Sequence, residues 1–177
     1  MKTYTWKEAF EDASQGAIAG SSRYQNFVGY CYDVGRGVPR DPKMARRWYA
    51  KAAKNGNIAA MFNLAVMYDG GTGGPRNPAK AVSLYKRAAL RGDLQSQANL
   101  AAMLLGGDGV RPDVTEGLRW LRRAARRGDT VAQYNLGRAY AEGDYVLQSG
   151  KYAKKWLARA AENGHAKARR LLKKLLK

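Results

Sequence analysis

Residues that commonly carry chemistry are scarce in this sequence. It has one cysteine, Cys31, so the chain cannot form an internal disulfide or a zinc site built on several cysteines. It has one histidine, His165, which excludes most histidine-based metal sites and catalytic triads. Cys31 lies beside Tyr32 in a helical pattern without a basic partner, so we expect inert packing. His165 follows a glycine, and we expect a helix-capping or surface residue.

Two glycine-rich segments and two aspartates could be mistaken for sites. Residues 70–75 (Gly-Gly-Thr-Gly-Gly-Pro) lack the Gly-Lys-Ser/Thr ending that a phosphate loop needs. Residues 107–109 with Asp113 offer too few ligands for a calcium loop, and Asp113 is better explained as a helix cap. Asp33 and Asp69 stand at equivalent positions; an acid–base pair is conceivable, but solvated surface carboxylates are favoured. We predict no enzyme and no catalytic, cofactor-binding or metal-binding residues.

Composition and charge narrow the class of protein and its partners. The chain has 177 residues, with 32 Lys and Arg against 14 Asp and Glu, and a formal net charge of +18. This excess makes acidic proteins, nucleic acids and anionic membrane surfaces candidate partners. No apolar run reaches the roughly 18 residues of a membrane-spanning helix, and the first residues contain no apolar signal core. We therefore expect a soluble cytoplasmic protein, unless a leader has been removed.

The elements that position these residues follow an internal repeat. Glycines recur every 36 residues, and an alanine pair precedes four of them. A large residue, a small residue and an aromatic or leucine recur in the same register within each unit. Four units fill the chain apart from its two ends, so we predict one continuous domain of tandem repeats. The predicted boundaries are 1–20 for an N-terminal capping helix, 21–56, 57–92, 93–128 and 129–164 for repeats 1 to 4, and 165–177 for a basic C-terminal capping helix.

Each unit predicts two helices with matching start and stop signals. The first helix begins at a capping residue and ends near a glycine that can adopt a left-handed conformation. The capping residues are Ser21, Asn57, Asp93 and Asp129, and the glycines are Gly35, Gly71, Gly107 and Gly143. The second helix ends at the 36-spaced glycines and begins at a capping residue, which is Asp41, Asn77, Asp113 or Ser149. In repeats 1 and 2 a proline, Pro42 or Pro78, occupies the first helical position. The agreement of these signals with one period favours an all-α fold.

The C-terminal segment allows two interpretations. Its basic residues alternate with leucines at positions 171, 172, 175 and 176. Such a helix could lie on a membrane surface. We favour the interpretation that these leucines cover the apolar face of the last repeat.

The repeated residues resemble the Sel1-like repeat family, which is related to the tetratricopeptide repeats. The first unit matches the family pattern at Tyr32, Gly35, Gly37, Val38, Asp41, Ala45, Trp48, Ala52, Ala53 and Gly56. Two departures are visible: Leu84 replaces the tryptophan of the second unit, and the loop of the fourth unit, residues 143–150, lacks its second glycine. The resemblance implies an α/α solenoid, a superhelical stack of antiparallel helix pairs that recognises other proteins and has no activity of its own.

Charge differs between the two helix types. Second helices (43–55, 79–91, 115–127, 151–163) carry 18 Lys and Arg, whereas first helices carry only Arg23 and Arg138. By analogy with tetratricopeptide proteins, first helices line a concave groove and second helices a convex face. The residues expected to bind a partner in the groove are Asn26, Tyr30, Asp33, Phe62, Val66, Asp69, Tyr134 and Arg138. The expected basic face consists of Arg46, Arg47, Lys51, Lys86, Arg87, Arg122, Arg123, Arg126, Lys154 and Lys155.

Three functional hypotheses remain open from the sequence. The first is a monomeric adaptor or scaffold that binds an acidic protein in the groove, with the basic face accelerating encounter; a bacterial signalling scaffold or a toxin inhibitor of the immunity type would fit. The second is binding of nucleic-acid phosphates by the basic face. The third, an enzyme, is the hypothesis that the residues support least. Apart from these functions, the basic residues could serve only to keep the chain soluble and to cover apolar surface with their stems.

Overall fold

The computed structural model describes residues 5–176. Over this range the chain forms ten α-helices and no β-strand, which confirms the predicted all-α fold. The helices are α1 Trp6–Ile18, α2 Ser22–Val34, α3 Pro42–Lys54, α4 Ile58–Gly70, α5 Pro78–Leu90, α6 Leu94–Gly106, α7 Val114–Arg126, α8 Thr130–Glu142, α9 Gly150–Glu162 and α10 Ala166–Leu175. Residues 1–4 of the predicted N-terminal cap and residue 177 of the predicted C-terminal cap lie outside the described residues.

The chain groups into two compact units, Met1–Asp93 and Leu94–Lys177. Unit 1 contains helices α1 to α5, and unit 2 contains α6 to α10. Within each unit, helices that follow one another in sequence pack against each other. The first helices of the repeats are α2, α4, α6 and α8, and the second helices are α3, α5, α7 and α9.

Capping residues start the helices where the sequence predicts. The side chains of Asp41, Asn77, Asp113 and Ser149 accept a hydrogen bond from a backbone N–H in the first turn of α3, α5, α7 and α9. Among the first helices, Asn57 and Asp129 do the same for α4 and α8. Ser21 occupies the equivalent position before α2, but its side chain makes no capping bond, so the prediction is wrong for that side chain.

The loops inside the repeats share one closing hydrogen bond. In each repeat the backbone N–H of the residue that caps the second helix donates to a carbonyl near the end of the first helix. These bonds, 2.8 to 3.0 Å long, join Asp41 to Tyr32, Asn77 to Tyr68, Asp113 to Leu104 and Ser149 to Tyr140. The fourth loop therefore closes like the others although it lacks the second glycine.

Tyr145 adopts the backbone conformation of this loop at a conformational cost. In the other loops the equivalent residues are Gly37, Gly73 and Gly109, with φ between 70° and 75°. Tyr145 adopts φ 62° and is the one non-glycine residue with positive φ in the described range. A side chain would not fit at Gly37, because its Cβ would lie 2.2 Å from the carbonyl oxygen of Trp6.

Small residues and aromatic rings form the interior of each unit. Ala88, Ala124 and the other members of the alanine pairs are buried except Ala161, which is partly exposed. Trp120 and Trp156 are buried, and Trp48 is half-buried against the cluster of Ala13, Ala17 and Val28. The tryptophans of the repeats therefore serve in packing.

The last helix covers the end of unit 2. Leu171, Leu172 and Leu175 pack against the buried cluster of Leu157, Ala160 and Ala168. This contact confirms the packing role of three of the four leucines. Leu176 is 65% exposed, so the prediction is wrong for that residue.

Candidate interaction surfaces

The first helices of unit 1 present a face that is almost free of charge. Residues three or four positions apart along α2 and α4 are exposed or half-buried, as expected for one face of a helix. These residues are Arg23, Asn26, Phe27, Tyr30, Val34, Ala59, Phe62, Asn63, Val66 and Gly70. Four of the predicted partner-binding residues, Asn26, Tyr30, Phe62 and Val66, lie on this face.

The residues of this face differ in how strongly their side chains contact other side chains of unit 1. Asn63 donates a hydrogen bond to Asn26, with 3.4 Å between the amide nitrogen and the side-chain oxygen. The ring of Phe62 packs on the buried ring of Tyr85, with centroids 6.0 Å apart. Val66 is 43% exposed. Phe62 therefore contributes to the core of unit 1, whereas Val66 is available to a partner.

Asp33 and Asp69 lie at the loop end of this face and belong to the loops. The Nε of Arg40 donates to the backbone carbonyl of Asp33 at 2.8 Å, and Arg76 donates in the same way to Asp69 at 2.7 Å. Nη2 of Arg76 also lies 3.4 Å from the carboxylate of Asp69. The backbone carbonyls of both aspartates are thus part of a repeated loop structure, and the carboxylate of Asp69 has the guanidinium of Arg76 beside it.

The two predicted partner-binding residues of unit 2 also differ from each other. Tyr134 is half-buried in the α9–α10 cluster and stacks on His165, with ring centroids 4.4 Å apart. His165 caps α10 by accepting a hydrogen bond from the backbone N–H of Ala168. Arg138 is exposed on α8, and its Nε lies 3.7 Å from the carboxylate of Glu142 one turn later. Arg138 is thus a surface residue, whereas Tyr134 is mainly structural.

Unit 2 contains a cavity beside Arg138. Its volume is about 180 Å³, and its apolar wall is formed by Ala102 and Leu105 of α6, Leu121 of α7 and Ala139 of α8. This cavity was not predicted from the sequence, although its apolar residues occupy regular positions in the repeat.

Polar side chains also line the cavity. They belong to Asn135 and Arg138 on α8 and to Asp144 and Tyr145 in the loop that follows α8. Among these only Arg138 was predicted as a site residue. The replacement of a loop glycine by Tyr145 is the feature of the sequence that could have drawn attention to the other polar residues.

Several residues of the predicted basic face have structural partners. Lys51 lies over the ring of Trp48 at 4.2 Å, and Arg123 lies over Trp120 at 5.4 Å. The guanidinium of Arg46 stacks on Tyr68 of α4 at 3.9 Å. Such cation–π contacts stabilise the rings and fix the basic side chains.

Two residues of the predicted basic face also donate hydrogen bonds to backbone carbonyl groups. Nη2 of Arg46 donates to the carbonyl of Pro75 at 3.2 Å, and Arg87 donates to the carbonyl of Ala53 at 3.4 Å. The structural interpretation of the charge therefore accounts for Arg46, Lys51, Arg87 and Arg123. Their replacement would disturb packing as well as charge.

The remaining residues of the predicted basic face differ in their exposure to solvent. Arg47 and Lys86 are exposed, and Arg122 is half-buried. Arg126, Lys154 and Lys155 are exposed, and no hydrogen bond or ion pair within residues 5–176 engages their side chains. Substitution of these three residues would therefore test a role of the basic surface of unit 2 without removing a hydrogen bond or an ion pair.

Two buried groups have raised pKa values. Burial raises the pKa of the Cys31 thiol, which is fully inaccessible to solvent and lies in the core of unit 1. Burial, together with the charge of Asp33, raises the pKa of Tyr49. Tyr49 lies in the core of unit 1, so we assign the shift to packing.

Two other kinds of site are absent from residues 5–176. Within residues 5–176, no group of three or more His, Cys, Asp or Glu side chains is placed to hold a metal ion. None of the helices in the same range has both the length and the apolar character that crossing a bilayer requires.

Comparison with protein families gives four consecutive matches. The family model described as Sel1 repeat matches residues 22–57, 58–93, 94–129 and 130–165. No curated protein matches the chain.

Solved structures with the same repeat are similar over most of the chain. A protective antigen present in uropathogenic Escherichia coli strains, which displays an SLR fold, is 37% identical with a TM-score of 0.86, over 90% of this chain and 34% of that protein. A Sel1 repeat protein from Oxalobacter formigenes is 32% identical with a TM-score of 0.87, over 94% of this chain and 66% of its own. The chain thus spans only about a third and 66% of the lengths of these two relatives.

A third likeness concerns the fold alone. An immunity protein from Pseudomonas aeruginosa is 21% identical with a TM-score of 0.55, over 92% of this chain and 60% of that protein. Together with the repeat matches, these structures identify the fold class as an all-α solenoid of tandem helix pairs.

Proposed function

The chain belongs to the Sel1 repeat family, whose members are generally scaffolds for protein interaction, and we propose that it is a non-enzymatic adaptor that binds another protein. The partner lies against the free faces of the first helices. This proposal includes the predicted residues Asn26, Tyr30, Asp33, Phe62, Val66, Asp69, Tyr134 and Arg138.

The observation that carries this proposal is the character of the first-helix faces. In unit 1 the face combines the half-buried Tyr30 and the exposed Val66 with amide groups and a single arginine. Aromatic and aliphatic side chains that lose water on binding supply most of the energy of an interface. The amide groups can satisfy polar groups of the partner without the cost of burying a charge.

The basic second helices support an acidic partner. Exposed cations such as Arg126, Lys154 and Lys155 attract a negatively charged protein and raise the rate of encounter more than the final affinity. Such an effect weakens as salt screens the charges.

The proposal is tested by isolating a partner and measuring its affinity. A pull-down with the full chain identifies candidates by mass spectrometry, and calorimetry with the purified partner gives the affinity. We expect Tyr30→Ala combined with Val66→Asp to weaken binding by about 2 kcal/mol or more. These positions are preferable to Phe62 and Tyr134, whose replacement would also remove packing.

A matched control separates the first-helix face of unit 1 from general surface effects. Leu90 is 62% exposed at the end of α5, a second helix, so Leu90→Asp places the same charge outside the proposed surface. The proposal requires unchanged affinity in Leu90→Asp. Equal loss in both variants, or no loss in Tyr30→Ala with Val66→Asp, would move the partner site elsewhere.

Nucleic-acid binding is a second candidate, supported by the open cations of unit 2. That unit has 17 Lys and Arg against 7 Asp and Glu, and Arg126, Lys154 and Lys155 are exposed. Titration of a generic duplex and a generic single strand at two salt concentrations tests this function. Affinity weaker than about 10⁻⁴ M near physiological salt would exclude it.

Three narrower points remain predictions from the sequence. They are a monomeric state, a cytoplasmic setting and, among adaptor roles, inhibition of a toxin as an immunity-type protein. Sedimentation analysis checks the first, and the identity of the partner checks the last.

A further inference from the structure

The carbonyl group near the end of each first helix needs a donor from a loop. In repeats 1, 2 and 4 a side chain of the following loop provides it at 2.7 to 2.8 Å: Arg40 to Asp33, Arg76 to Asp69, and Gln148 to Ala141. In repeat 3 the equivalent position holds Pro112, which has no such donor. The carbonyl of Leu105 instead accepts a hydrogen bond from the hydroxyl of Tyr145 at 3.2 Å.

Tyr145 provides this bond from an unfavourable backbone conformation. Its φ of 62° lies in the region that glycine occupies in the equivalent loops. Strained residues of this kind persist where the surrounding structure holds them, and they concentrate at binding sites. The ring of Tyr145 is half-exposed and lies at the wall of the cavity in unit 2.

Smaller side chains on the helices leave room beneath this ring. Ala102 stands where the equivalent residues of unit 1 are Tyr30 and Val66. Leu121 stands where unit 1 has the fully buried rings of Tyr49 and Tyr85. The volume of about 180 Å³ is therefore a property of the residues that distinguish unit 2.

The polar groups of the cavity lining are suited to a peptide. Asn135 has one donor and one acceptor group, the pair that an extended backbone also presents. Its side chain makes no hydrogen bond within residues 5–176. Arg138 has five N–H donors, and its contact with Glu142 is long and half-exposed, which leaves donors for another carboxylate.

We propose that this cavity receives one aliphatic or phenyl side chain of an extended acidic segment of the partner protein, with a neighbouring carboxylate on Arg138 and the backbone on Asn135. The inference rests on the proposed adaptor function and names the site and the chemistry of the partner.

Size and charge support this occupant. A cavity of roughly 150 Å³ lined by apolar side chains binds a molecule of the size of benzene, so about 180 Å³ accommodates a leucine or phenylalanine side chain. The excess of 17 basic over 7 acidic residues in unit 2 attracts an acidic segment. Asp144, which also lines the cavity, repels a carboxylate, whereas Arg138 attracts one, so the acidic neighbour is directed to Arg138.

Fluorescence anisotropy with short labelled peptides tests the site directly. The probe has one central leucine flanked by glutamate and serine, and a matched peptide has alanine in place of leucine. With the full chain, we expect the leucine peptide to bind at least about tenfold more tightly than the alanine peptide. A third peptide, with lysine in place of glutamate, should not bind measurably.

Substitutions that fill the cavity provide the matched controls. Ala102→Phe fills it from an exposed position of α6, and Leu90→Phe adds a ring at an exposed position of α5 outside both proposed surfaces. We expect Ala102→Phe to weaken binding of the leucine peptide at least about tenfold and Leu90→Phe to leave it unchanged. Leu121→Tyr, which copies Tyr49 and Tyr85, is a second filling variant, and circular dichroism checks that each variant is folded.

The outcomes separate this inference from the adaptor function. Equal affinity of the leucine and alanine peptides, or wild-type binding by both filling variants, would overturn the inference. If a partner isolated with the full chain also binds both filling variants normally, the adaptor function stands and this site is wrong. If no partner protein binds the chain at all, the adaptor function itself fails.

Discussion

The side-chain amide of Asn163 donates a hydrogen bond of 3.2 Å to the side-chain carbonyl of Gln133. Gln133 is buried and donates in turn to the carbonyl of Ala125 at 3.2 Å. One glutamine on α8 thus joins the C-terminal ends of α7 and α9. The same arrangement recurs in unit 1, where Asn55 donates to Gln25 and Gln25 donates to Ala17.

Removal of the asparagine should leave a buried oxygen without its donor. We expect Asn163→Ala to lower the free energy of unfolding by about 1–3 kcal/mol, because Gln133 keeps its carbonyl away from water. Urea denaturation followed by circular dichroism measures the change. Gln133→Met copies Met61 of the second repeat and removes the polar group, so Asn163→Ala should cost less in that background. Identical costs in both backgrounds would contradict the assignment.

Stability should decrease at alkaline pH partly through Tyr49. Its pKa is raised in the folded chain, mainly by burial. The unfolded chain therefore releases this proton first, near pH about 10, and the free energy of unfolding falls as pH rises beyond that value. Urea midpoints between about pH 8 and about pH 11 should fall less steeply for Tyr49→Phe than for the wild type. Parallel pH profiles would show that Tyr49 has no part in the decrease.

Two helical glycines should respond in opposite directions to alanine. A Cβ at Gly137 would lie 2.8 Å from Cγ of Leu157 and 3.0 Å from its backbone nitrogen, whereas a Cβ at Gly106 would have no neighbour within 4 Å. Gly137→Ala should destabilise by about 1–3 kcal/mol. Gly106→Ala should stabilise by up to about 1 kcal/mol, because alanine favours helix. Thermal unfolding of the two variants gives the signs, and a shift in the same direction for both would refute this packing argument.

Helix caps provide another matched pair. Oδ1 of Asp113 accepts from the backbone N–H of Glu116 at 2.8 Å, while Ser21 makes no capping bond. We expect Asp113→Ala to cost about 0.5–2 kcal/mol and Ser21→Ala to cost clearly less. Chemical denaturation of both variants under one condition is the measurement. A larger loss in Ser21→Ala would mean that its side chain has a role other than capping.

The fold was predictable because local signals agree with one period. The capping side chains of Asp41 and Asn77 each indicate the start of a helix, and Gly35 indicates the end of one. The repeat places every such residue 36 positions from its equivalent. The left-handed conformation of Tyr145 could not be predicted, because a tyrosine carries no signal for it. The loop bond between Ser149 and Tyr140 is what maintains the shape there.

The surfaces were less predictable than the helices, because side-chain partners depend on tertiary contacts. The sequence distinguishes Phe62 and Val66 as two apolar residues on one face, but only the contact with Tyr85 makes Phe62 structural. It likewise counts Arg46 and Lys155 as equal charges, although Arg46 stacks on Tyr68 and Lys155 is open. The cavity depends on the combined absence of large side chains at Ala102 and Leu121, which no single position reveals.

Both asparagines that hold a buried glutamine stand directly before a glycine, Asn55 before Gly56 and Asn163 before Gly164. This dipeptide loses its amide most readily through a succinimide, because glycine puts no side chain in the way of its nitrogen. Each deamidation would replace a donor by a carboxylate, which can only accept and would face the carbonyl oxygen of Gln25 or Gln133. Chemical ageing of the chain would therefore weaken the hydrogen bonds that join α3 to α1 and α9 to α7.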